Sequence, residues 1–127
     1  MAVLTALRLT LAADLAPLGI AVHPAWPDDL ELPCAFITPP IAAPYLIAGQ
    51  TFGTFTASLD LVIMVDHTDG VTALTQLEAL IEAAAVNTAD WLLTGVDAPA
   101  PMSASEGGAE YLASIIHLSK SVRIEGA

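Results

Sequence analysis

Basic side chains are nearly missing from this chain: three lysines and arginines stand against 14 aspartates and glutamates, for a formal charge of −11. A chain with so little positive charge cannot present the basic surface on which phosphate binding depends. Its field repels DNA, which suits a protein indifferent to DNA or one lining a passage through which DNA slides. The plainer reading is that acidic charge keeps a hydrophobic domain soluble. Cysteine is limited to Cys34, which excludes an intrachain disulfide and fits a reducing compartment. Long apolar runs are lacking as well. Although 55% of residues are hydrophobic, no stretch approaches the roughly 18 uninterrupted apolar residues of a membrane helix. Residues 1–18 have no basic start, and Arg8 and Asp14 interrupt them, so they read as an amphipathic helix and not as a signal peptide. The expectation is synthesis in the cytoplasm, no membrane partner, and a single domain over residues 1–127, with no internal repeat.

The strongest pattern present is residues 51–66. Phe55, Ala57, Leu59, Leu61, Ile63 and Val65 fall on one parity, and Thr54, Thr56, Ser58, Asp60 and Asp66 share the other with Val62 and Met64. Such alternation marks a strand buried on one face. Sixteen residues at about 3.3 Å each reach roughly 50 Å, so part of this strand is expected to be available to something outside its own domain.

Leu4, Leu7, Leu11, Leu15 and Leu18 follow one helical face, closed by Pro17 and Gly19. Short strands follow at 20–26 and 32–38, separated by an acidic turn at Asp28 and Asp29. A second helix follows the long strand, capped by Thr68 or Asp69, with a buried stripe of Val71, Leu74, Leu77, Ile81 and Ala84. Residues 91–96 form a fourth strand, 97–108 a flexible loop, and 109–124 a last strand that is apolar on both faces in its first half, hence central or sandwiched. The order α-β-β-β-α-β-β predicts an α+β fold: a mixed or antiparallel sheet of about five strands with both helices on one face.

Residues 39–52 form an apolar arm. Pro39, Pro40 and Pro44 forbid a helix or a central strand, yet Ile41, Tyr45, Leu46, Ile47 and Phe52 are too apolar for a solvated loop. These five are the expected subunit or partner interface. Strand edges and arm together point to oligomerisation by strand addition or arm exchange, and deleting residues 41–48 is expected to spare the domain fold.

Chemistry is harder to find. Asp66, His67 and Asp69 gather at the strand-to-helix turn, but they lack the further ligands of a calcium loop, and His23 and His117 have no zinc spacing. The expectation is that Asp69 caps the helix and His67 is an exposed turn residue. Cys34, between Pro33 and Ala35, reads as a buried structural thiol. The Ser105-Glu106-Gly107-Gly108 run precedes a strand and has no lysine beside it, unlike a phosphate loop. No catalytic residue, cofactor site or metal site is expected, and the chain is not expected to be an enzyme.

The Leu-rich first helix, the "AVHPAWPDDLELPCAFITPP" stretch, the "FGTFTASLDLVIMVDH" strand, a single helix and the closing "GGAEYLASIIHLSKSVRI" strand resemble the tail terminator (tail completion) proteins of long-tailed bacteriophages. The resemblance covers nearly the whole chain and lies in element order, not in a short motif. It implies a virion protein at the head-proximal end of the tail, assembled in the host cytoplasm. Such a protein forms a hexameric ring that caps the tail tube, ends its polymerisation and joins the head connector, with DNA passing through the lumen unbound. Two other readings stay open: another head-tail connector or neck protein of the same phages, and a small oligomeric α+β enzyme or ligand-binding domain.

Overall fold

The computed structural model describes residues 2–28, 31–67, 69–103 and 110–124, which form two helices and one mixed sheet of seven strands. In chain order these are α1 (Val3–Asp14), a 3-10 turn (Ala16–Leu18), β1 (Ala21–His23), β2 (Cys34–Thr38), β3 (Leu46–Ala48) and β4 (Thr54–Asp66). Then come α2 (Gly70–Asn87), β5 (Leu92–Val96), β6 (Ala100–Ser103) and β7 (Glu110–Arg123). The fold is α+β, with two more strands than the sequence pattern suggests.

Two long antiparallel strands form the spine. β4 pairs with β7 along its whole length, from Thr54 opposite Arg123 to Asp66 opposite Tyr111. The outer side of β4 is covered end to end by β2, from Asp60 to Met64, and by β3, from Phe55 to Ala57. β7 is covered from Glu110 to Ala113 by β6 and from Ile116 to Ser119 by β5, while β1 runs parallel to β2 at the margin. The long strands are therefore inner strands, contrary to the expectation of a long exposed edge. Among the described residues the free edges belong to the short strands β1, β3, β5 and β6 and to the end of β7 from Lys120 to Arg123.

Strand alternation sends the two parities of β4 to opposite faces. Leu59, Leu61, Ile63 and Val65 meet Leu11, Leu15 and Leu18 of the first helical segment and Leu77 and Ala84 of α2 in one core. Both helices thus lie on one face, as the element order predicts. The opposite face is divided along its length. Cys34, Phe36, Val62, Met64, Tyr111 and Ala113 make a second apolar cluster at one end, and the other end carries Thr54, Thr56 and Ser58 of β4 with Ser119, Ser121 and Arg123 of β7. Burial of β7 from Tyr111 to Ser114 agrees with a central strand.

Three expectations need correction. The buried stripe of α2 is Ala73, Leu77, Leu80 and Ala84, whereas Val71 and Leu74 are exposed. α2 is apolar around much of its circumference, so spacing alone leaves its phase ambiguous. The arm is not a detached loop: Leu46–Ala48 is a strand on β4 and Tyr45 packs on the main core. The loop at 97–108 is also shorter than expected, because Ala100–Ser103 pairs with β7. Both missed strands lie at the sheet margin, where a proline such as Pro101 is tolerated because an edge strand has one side free of the ladder. The Ser105–Gly108 run, Thr68 and Asp29 lie outside the described residues.

Candidate functional site

The arm residues do not form one continuous patch. Tyr45 is half-buried against the core and Leu46 is half-buried in β3 opposite Ala57. Ile41, Ile47 and Phe52 are exposed, at 74%, 48% and 98%. Phe52 stands at the tip of the turn joining β3 to β4, and that turn is held tightly. Gly49 N–H donates to the Thr54 carbonyl at 2.7 Å, Thr54 N–H to Thr51 at 3.0 Å, and Ile124 N–H to Gly53 at 2.8 Å, which ties the turn to the end of β7. Gly53 has a φ of +82°, a conformation other residues rarely adopt, and a Cβ on Gly49 would come within 2.9 Å of the Thr54 carbonyl oxygen. An apolar side chain on a braced turn gains nothing from its exposure to water.

At the far end of the sheet, on the face without helices, lies an apolar pocket of about 170 Å3. Phe36, Val62, Met64, Tyr111 and Ile115 form its floor and Trp26, Ile41 and Met102 its rim. The Trp26 and Phe36 rings pack with centroids 4.5 Å apart at 38°, a tilted arrangement favoured by aromatic quadrupoles. Ile41 thus belongs with the pocket, and Phe52 with the opposite end.

Between these ends, on the same face, sits a polar cluster that no sequence motif marks. His117 lies directly opposite Asp60 in the β4–β7 register. Its Nδ1 is 2.8 Å from Asp60 Oδ1, and its Nε2 is 2.8 Å from Asp97 Oδ1 just beyond β5. Asp60 is buried, and its other oxygen accepts from Ile41 N–H at 3.3 Å, so the cluster also holds the start of the arm. Asp97 is fixed through its backbone: its N–H donates to Ile115 and its carbonyl accepts from Ser114 Oγ. A neutral imidazole carries one N–H and would turn a lone pair toward the second carboxylate, whereas the imidazolium donates to both. The His117 pKa is accordingly raised, chiefly by the hydrogen bond to Asp97 and further by that to Asp60, with burial opposing.

An adjoining cavity of about 370 Å3 is lined by the hydroxyl residues Thr56, Ser58, Thr94 and Ser119 and by apolar Ala42, Ala43, Ile47 and Leu118. With both ring nitrogens occupied by carboxylates, His117 has no nitrogen left to take a proton from these hydroxyls. The geometry is that of a clamp joining β4, β7, the end of β5 and the arm.

The residues singled out by sequence do not converge. His23 ends β1, His67 follows β4, and His117 lies in the middle of β7. Among the described residues no group of three or more His, Cys, Asp or Glu is disposed to hold a metal ion. Asp69 caps α2 as expected, accepting from Val71 N–H and Thr72 Oγ1, and these bonds lower its pKa. His67 is half-buried, not exposed, with Nδ1 3.9 Å from a Glu110 oxygen. Cys34 is fully buried, and desolvation raises its thiol pKa, as expected of an inert structural cysteine.

No known family model matches the chain. No curated protein matches it either.

Proposed function

We propose that this chain is a tail terminator of a long-tailed bacteriophage: a ring-forming virion protein that caps the tail tube, stops its growth and offers the surface on which the head connector seats. One observation supports this reading most: Phe52, nearly wholly exposed on a rigid turn, is an apolar anchor without an intrachain role, as expected of a subunit meant for assembly. The order of the helices and the long strands in the sequence, on which the resemblance rests, supports the same reading. The acidic balance suits a ring through which DNA passes, since like charge keeps the polymer from adhering to the lumen.

In this reading the tail tube protein and the head connector are the partners, and the polar clamp around His117 has a structural role. Native mass spectrometry and negative-stain micrographs of the purified chain, alone and with cognate tail tubes, test it. A closed ring, most simply a hexamer, is the expected species, formed either alone or on the tube. A chain that stays monomeric at every concentration and in the presence of tubes contradicts it.

A further inference from the structure

Phe52 and the apolar pocket are at opposite ends of one sheet. Ten residue steps of β4 separate Thr54, beside the Phe52 turn, from Met64 in the pocket floor, which places them roughly 30 Å apart. They cannot meet within one chain.

Their properties match. The pocket of about 170 Å3 is of the size in which an apolar cavity of about 150 Å3 accommodates a benzene ring, and its lining of Trp26, Phe36, Met64, Met102 and Tyr111 suits an aromatic guest. Charge is complementary too. Arg123, one of the chain's three basic residues, is exposed and stands opposite Thr54 beside the Phe52 turn, while Lys120 turns to the other face over the Trp91 ring. Asp66, opposite Tyr111 of the pocket, and Glu110, next to it in the chain, are both exposed.

From this we propose that Phe52 of one subunit inserts into the Trp26, Phe36, Met64 and Met102 pocket of a second copy of this chain, making a head-to-tail contact. Each subunit then has one knob and one unfilled hole at distinct places, and repetition of such a heterologous contact closes into a ring when the rotation permits. An isologous dimer leaves no such propagation. The inference rests on the ring reading and assigns its subunit interface. It also divides the five arm residues: Phe52 is the guest, Ile41 part of the host, Tyr45 with Leu46 support within the chain, and Ile47 lines the cavity beside His117.

The test mixes two full-length single variants, Phe52→Cys and Met102→Cys, under oxidising conditions. Cys34 is fully buried and stays silent. A disulfide-linked pair should form in the mixture and in neither variant alone, and the double variant should give a covalent ladder ending at the ring. Phe52→Asp, at a position 98% exposed, should keep the wild-type circular dichroism and sediment as a monomer. Phe52→Ala should weaken assembly about 30-fold or more, as loss of a central aromatic anchor does. Assembly of wild type with unchanged assembly of Phe52→Asp overturns the interface and leaves the ring reading intact. Crosslinking of Phe52→Cys to itself replaces the head-to-tail contact with an isologous one. A wild type that stays monomeric at every concentration and in the presence of tail tubes overturns both.

Discussion

At the scale of single residues, the Asp60, His117 and Asp97 cluster makes the sharpest claims. Replacing His117 with Gln leaves buried Asp60 short of its charged partner, at an expected cost of about 1–3 kcal/mol. The pH dependence has a definite sign. The folded-state His117 pKa lies above its ordinary 6.5, so the stabilisation is complete below that value and is lost as pH rises through the raised one. Urea midpoints for wild type and His117→Gln should therefore differ more at about pH 5.5 than at about pH 9. An equal gap at both would show that the imidazolium is not the bridging form. None of this was legible in the sequence. Asp60 and His117 meet only through the β4–β7 register, and Asp97 reaches the ring after an irregularity between Leu93 and Gly95 that shifts the β5 pairing. The cap at Asp69 was legible, because its signal is local: an acidic residue directly before an apolar helical pattern. Asp69→Ala is expected to cost about 1 kcal/mol in thermal or urea unfolding.

Individual elements separate the secure readings from the weak ones. β4 and β7 could be read because thirteen and fourteen residues of strand pattern leave no other period that fits. β3 and β6 could not, since three or four residues flanked by proline are strands only because a long neighbour supplies their partners. α2 could be placed but not phased. Its observed stripe gives a direct contrast: Leu77→Ala should cost about 2–5 kcal/mol by opening the core, while Val71→Ala, at an exposed site, should stay within about 0.5 kcal/mol. The arm yields a revised expectation. Because Tyr45 packs on the core, β3 pairs with β4 and Ile41 N–H bonds Asp60, removal of residues 41–48 should damage the fold itself. Circular dichroism and urea unfolding of that deletion should show clear destabilisation, whereas Phe52→Asp should leave the domain intact.

For the whole molecule, the free edges among the described residues are short, so assembly is expected to rely on side chains more than on strand addition. The helix-covered face is occupied by the main core. The other face presents a polar middle, an aromatic-lined hollow at one end and Phe52 beyond the other. That polarity along the long strands is what a repeating head-to-tail assembly requires, and it could not be seen in sequence because the hollow gathers residues from β1's exit loop, β2, β4, β6 and β7. The most direct test of the account polymerises the cognate tail tube protein with and without this chain and measures tube lengths and end density by electron microscopy. A ring of this chain at one end and a narrow length distribution are the predicted result; tubes of unaltered, unlimited length with bare ends would contradict it.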